Sequence, residues 1–126
     1  MKKILIAEDD SFLASAYKLK LEKMGFAIEV AGDGEEVLEI LRQQGLPDLI
    51  LLDLVMPKKD GFAALEEIKK NPNWKNIPVV VASNLGQKED VDRAASLGAA
   101  GYIIKTSVSI SDLVKKVNSV LEQAGG

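Results

Sequence analysis

The sequence predicts an α/β domain built on a doubly wound, five-stranded parallel sheet in the order 2-1-3-4-5, and three observations carry that expectation. Short runs of Ile, Val and Leu alternate five times with stretches of helical periodicity. Strand-then-helix units in series call for right-handed crossovers, which make the strands parallel and place helices on both faces. Three of the runs, "ILIA", "LILL" and "VVVA", are apolar on both faces, as interior parallel strands must be.

The first strand is "KKILIAE", residues 2–8, and the helix after it aligns Leu13, Tyr17, Leu21 and Met24 before stopping at Gly25. "FAIEVA", residues 26–31, carries Glu29 among Phe26, Ile28 and Val30 and reads as an edge strand. The second helix opens at Asp33 with Glu36 as a capping-box-like partner and stops at Gly45. "PDLILLD", residues 47–53, precedes a helix that opens near Asp60, turns Leu65 and Ile68 inward and ends before Pro72. "IPVVVAS", residues 77–83, leads to a sparse helix, "QKEDVDRAASLG", that buries little beyond Val91, Ala94, Ala95 and Leu97. "GYIIK", residues 101–105, precedes a last helix with Ile110, Leu113, Val114, Val117, Val120 and Leu121 at helical spacing. With strands one, three and four interior, the switch point falls between strands one and three, at their carboxyl ends.

Composition narrows the chemistry. The chain has 126 residues, enough for one domain (1–126, with a core of about 2–122) that buries roughly two thirds of its unfolded surface. It contains no cysteine and no histidine, which removes disulfides, thiol nucleophiles, the commonest general base and the commonest metal ligand. A net charge of −3 argues against an electrostatic nucleic-acid surface, so no direct nucleic-acid partner is expected. "MKKILIAEDD" is too short an apolar run for a signal peptide or a membrane span, and a soluble cytoplasmic protein is the expectation.

A strand apolar enough for the middle of a core ends on an acid, Asp53, and the other strand ends explain it. The first ends in Glu8, Asp9 and Asp10, the fourth in Ser83 and Asn84, and the fifth in Lys105, all on one edge of the sheet. Crowded carboxylates need protons or a cation among them. Only oxygen ligands are on offer, so the cation should be hard, and Mg²⁺ fits. Metal and lysine would neutralise a phosphoryl group, Ser83 would donate to one of its oxygens, and Asp53 would be the nucleophile that forms an acyl phosphate.

These residues carry a family resemblance. "EDD" after strand one, "DLVMPKKDG" around the acceptor, "VVVAS" ending strand four and "GAAGYIIK" ending strand five, in that order, resemble the receiver domain of a bacterial two-component response regulator. The likeness runs from about residue 2 to 122, and the chain resembles the single-domain chemotaxis regulators, which implies a flavodoxin-like fold. It implies that Asp53 accepts a phosphoryl group from a histidine kinase or histidine phosphotransfer protein. Glu8 and Asp9, with Asp53 and the backbone carbonyl of Val55, would bind Mg²⁺, and Lys105 would contact the phosphoryl group. Ser83 and Tyr102 would form the switch pair. Asp10 and Asp60 read better as helix caps, Asp10 with a secondary place at the metal site.

The signal is expected to leave through the face made by the fourth helix, fifth strand and fifth helix, toward a downstream protein. Dimerisation of the phosphorylated form stays open, as does the choice between a stand-alone receiver and a piece of a longer regulator, the given chain ending at "EQAGG" with no room for an output domain. Thr106 follows Lys105 where the family usually has a proline across a cis bond; either the loop bears strain or the peptide is trans.

Three rival readings are weaker. "GDGEEV", residues 32–37, imitates a dinucleotide fingerprint but has Val37 at the third glycine. A haloacid-dehalogenase-type phosphatase would need a second aspartate where Val55 stands. A phosphorylation-independent interaction module of the same fold would normally have lost one of the acids or the lysine, and all are present. The resemblance implies that the residues two beyond the acceptor and two beyond the switch hydroxyl govern how water reaches the acyl phosphate; these are Val55 and Leu85, both apolar, and slow autodephosphorylation is expected rather than turnover.

Overall fold

The computed structural model describes residues 1–43 and 45–125. Among them lie five strands, β1 (Lys3–Ala7), β2 (Ala27–Ala31), β3 (Leu49–Leu52), β4 (Val79–Ser83) and β5 (Gly101–Ile104). They alternate with helices α1 (Ser11–Lys23), α2 (Gly34–Gln43), α3 (Gly61–Lys70), α4 (Lys88–Ser96) and α5 (Ile110–Gly125). All strand pairs are parallel and the order is β2-β1-β3-β4-β5, as the strand compositions predict.

Because side chains alternate along each strand, the interior strands feed two cores at once. Leu5, Ala7, Ile50, Leu52, Val79 and Val81 point to one face and pack with α2, α3 and Ala94 of α4. Ile4, Ile6, Leu49, Leu51, Val80 and Ala82 point to the other and pack with α1 and α5. Each fully buried Leu or Ile there contributes about 1.5–3 kcal/mol of transfer free energy. β2 is the half-buried edge that Glu29 signals, the acid pairing with Lys3 of β1 at 3.2 Å.

Local chemistry sets the helix ends. Asp10 caps α1, accepting from the N–H groups of Phe12 (3.0 Å) and Leu13 (3.2 Å), and Gly25 turns the chain out of it at φ +96°. Asp33 accepts from Glu36 N–H at 2.8 Å, and the Glu36 side chain reaches back to Gly32 N–H at 3.1 Å. That is one residue earlier than a capping box would have it. Asp60 caps α3 by accepting from Ala63 N–H at 2.9 Å, and Ser109 accepts from Asp112 N–H at 3.0 Å at the start of α5.

Three packing expectations need correction. Met24 lies beyond the last helical residue of α1, in the turn, and is exposed. Ala95 faces solvent, so that Ala94 is the only buried residue of α4, with Val91 and Leu97 half-buried. Ile110, the first residue of α5, is also exposed, whereas the other five apolar positions expected in that helix are buried. In each case a residue at a helix end or on a lightly packed helix drifts off the apolar stripe that its spacing suggests.

Candidate functional site

Parallel register brings the strand ends together. Ala7 pairs with Leu52, and the Asp53 N–H donates to the Ala7 carbonyl at 3.0 Å, so Glu8 and Asp53 emerge side by side. On the far side Ser83 pairs with Ile104, which brings Lys105 to the same edge. Glu8, Asp9, Asp10, Leu13, Asp53, Val55, Ser83, Asn84 and Lys105 line one cleft of about 380 Å³.

Lys105 is the cation of this cleft. Its Nζ donates to Glu8 Oε1 and lies 3.2 Å from Asp53 Oδ2, with all three side chains more than nine-tenths buried. Burial works to lower the Lys105 pKa, but the bond to Glu8 and the charge of Asp53 outweigh it and hold the ammonium above its ordinary value. Burial raises the Glu8 carboxyl, the Asp53 charge adds to the rise, and the bonds from Lys105 and from Asp10 N–H (3.2 Å) oppose it.

One ammonium does not balance the acids. Carboxylate oxygens of Glu8, Asp9 and Asp53 lie within 4.8 Å of one another, Asp9 exposed and the other two buried. An all-oxygen donor set with surplus negative charge, open to water on the Asp9 side, fits a hard divalent cation that keeps part of its hydration. Asp10 lines the cleft, but its Oδ1 is committed to capping α1.

Asp53 itself is not a helix cap. Among the described residues its Oδ1 accepts only from the Val55 N–H, at 3.3 Å, and α3 begins eight residues later behind its own cap, Asp60. Val55 is 58% exposed at the cleft mouth. The peptide between Lys105 and Thr106 is trans, since no peptide bond among the described residues is cis, and Lys105–Ser107 form a 3-10 turn.

The two switch candidates meet on a third residue. Ser83 is fully buried and its Oγ accepts from the Leu85 N–H at 3.2 Å, while the Tyr102 hydroxyl donates to the Leu85 carbonyl at 2.5 Å. Tyr102 therefore touches the β4–α4 loop and does not line the cleft. Sequence reasoning had no means of finding the Leu85 backbone, because a main-chain group leaves no residue-type signal. It also read Tyr17 as core only. That ring is 4% exposed, and it shares a second, apolar cavity of about 240 Å³ with Lys105 and Thr106.

Comparison with known proteins gives the family and the fold. A family model described as the response regulator receiver domain matches residues 4–118. The chain is similar to a probable transcriptional regulator, ycf27, of Guillardia theta, 31% identical over 97% of this chain and 46% of that protein. It thus spans about half the length of the curated relatives it matches. Among solved structures it is similar to a Francisella response regulator 1452 receiver domain, with 32% identity, a TM-score of 0.88 and 98% coverage of both chains. It is also similar to the Mn²⁺-bound form of response regulator Rcp1, with 36% identity, a TM-score of 0.82 and coverage of 95% and 91%.

Proposed function

The chain belongs to the response regulator receiver domains of two-component systems, and on that premise we propose that it is a phosphorylation-dependent switch with Asp53 as its phosphoacceptor. The observation that carries this reading is Lys105 Nζ standing 3.2 Å from Asp53 Oδ2 inside an acidic cleft. An ammonium already lies beside the carboxylate on which a phosphoryl group would gather charge.

A carboxylate oxygen of Asp53 attacks the phosphorus of a phosphohistidine on a kinase or phosphotransfer protein. The O–P bond forms as the P–N bond breaks, and the imidazole leaves with the electron pair. These 126 residues contain no histidine, so the donor residue lies outside them. Glu8, Asp9, Asp53 and the Val55 carbonyl would hold Mg²⁺, which when bound neutralises charge on the acids and on the phosphoryl oxygens. Lys105 keeps its place through Glu8 while its remaining N–H groups serve the phosphoryl oxygens.

Ser83 supplies the read-out. Turning its hydroxyl toward a phosphoryl oxygen takes Oγ away from the Leu85 N–H, and the same Leu85 peptide holds the Tyr102 hydroxyl. The β4–α4 loop and Tyr102 then repack together and alter the face presented by α4, β5 and α5 to a downstream protein. Phosphorylation shifts an existing equilibrium by its differential contacts and no more.

The test is intact mass after incubation with Mg²⁺ and acetyl phosphate, wild type beside Asp53→Asn. A single phosphate adduct is expected on wild type only, and only with Mg²⁺. An adduct that persists in Asp53→Asn would place the acceptor elsewhere, and none on folded wild type with either acetyl phosphate or a cognate kinase would leave a receiver fold that acts by binding alone.

A further inference from the structure

The loop that carries the acceptor, from Asp53 to Asp60, is gripped at base and apex by glycines with no room for a side chain. At the base the Gly61 N–H donates to the Leu54 carbonyl at 2.9 Å, and a Cβ on Gly61 would stand 2.2 Å from the Asp53 carbonyl oxygen. At the apex Gly34, the first residue of α2, donates its N–H to the Lys59 carbonyl at 3.1 Å, and a Cβ there would stand 2.1 Å from that oxygen. Two charge pairs flank the contact, Lys58 with Asp33 at 3.7 Å and Lys59 with Glu35 at 4.0 Å.

What is gripped is a strained turn. Lys58 sits at φ +66° and the Lys59 N–H donates to the Pro57 carbonyl at 2.8 Å, a three-residue turn with the sign of φ that is rare for a residue with a side chain. Such a conformation persists only where its surroundings over-determine it. No residue of α2 lines the cleft; the helix bears on the acceptor loop through this backbone contact and through the core that Val37, Leu38 and Leu41 share with Leu54 and Met56.

We infer that Gly34 is a positioning residue for the phosphoacceptor loop. Its N–H and its missing side chain let α2 hold the turn at Lys58, and the turn in turn keeps Val55 and Asp53 in register with Glu8, Asp9 and Lys105. With the base of the loop pinned at Gly61, a side chain at position 34 drives the Lys59 carbonyl away, and the displacement runs back through Pro57 and Met56 to Val55. This inference rests on the phosphoacceptor reading above.

The test compares wild type, Gly34→Ala and Gly34→Ala/Lys58→Gly, the last giving the turn a residue that yields without strain. Three quantities are read: the rate of adduct formation with acetyl phosphate, Mg²⁺ affinity from amide shifts at Asp53 and Val55, and the melting temperature. Gly34→Ala is expected to slow the adduct on the order of ten- to a hundredfold, as misplacement by about 1 Å does, and to weaken Mg²⁺ with it, at temperatures where it is fully folded. The double variant should recover part of both losses. If Gly34→Ala does not fold, the double variant alone decides, and values at least about threefold below wild type are expected of it. Wild type that takes phosphate, with folded Gly34→Ala (or, where that does not fold, the double variant) matching its rate and Mg²⁺ affinity, overturns the inference and leaves the acceptor reading intact. Wild type that takes none overturns both.

Discussion

At the residue scale, Val55 and Tyr17 have consequences that can be measured. Val55 stands exposed at the cleft mouth, two residues beyond the acceptor, with no group that could orient a water molecule toward an acyl phosphate. Phosphoaspartate on wild type should therefore decay slowly and on Val55→Asn faster, as followed by intact mass over time; equal or slower decay in the variant would remove the role given to Val55. Tyr17 offers a pH test. Burial raises its phenol above the ordinary value, with Lys105 opposing and the nearby acids adding. Above about pH 10 the unfolded chain loses this proton first, so it binds fewer protons than the folded one and stability falls as pH rises. Below that pH the contribution is intact. Urea denaturation at pH 9 and pH 11 should show a smaller loss in Tyr17→Phe than in wild type, and equal losses would mean that the phenol carries none of the effect.

At the element scale, helices that position the site are well capped and the one expected to move is not. Asp60 ends the acceptor loop and starts α3 through its bond from Ala63 N–H. Asp60→Ala should cost about 1 kcal/mol and Asp60→Asn much less, because the amide oxygen can still accept; the urea midpoint at unchanged slope is the measurement. α4 has no side-chain bond at its N-cap, Gln87, and buries only Ala94, though Arg93 lies over the Phe62 ring of α3 at 4.1 Å. Few buried contacts make such a segment cheap to shift relative to the rest of the fold. The 3-10 turn at Lys105–Ser107 shows how Lys105 is carried without proline: Thr106 continues the chain in trans, and the lysine still reaches Glu8 and Asp53.

At the scale of the whole molecule, the sheet separates the chemical edge from the α4, β5 and α5 face proposed to report on it. The acids, Ser83 and Lys105 share the carboxyl edge, while Tyr102 links that edge to α4 through Leu85. Amide shifts with and without a phosphoryl mimic such as beryllofluoride should change at the cleft and across α4, β5 and α5. Changes confined to α1 and α2 would contradict the proposed output face. No described helix is long and apolar enough to cross a membrane, and the carboxylates of Glu8, Asp9 and Asp53 gather at the edge where a cation would offset them.

Fold class, strand order and the residues of the edge were legible because they depend on local periodicity. Apolar runs on both faces mark interior strands, Glu29 marks the edge, and the ends of parallel strands must share one side. Which acid the lysine meets was not legible, since Lys105 and Glu8 are 97 residues apart in sequence and their contact is set by sheet register. Nor could spacing show that Ala95 and Ile110 would face water, because burial depends on what packs opposite a helix as well as on its own stripe. The Leu85 peptide and the grip of Gly34 on Lys59 are contacts of backbone with backbone or with single side chains. Residue types encode the chemistry a site can use. Only three-dimensional packing decides which main-chain groups hold those residues in place.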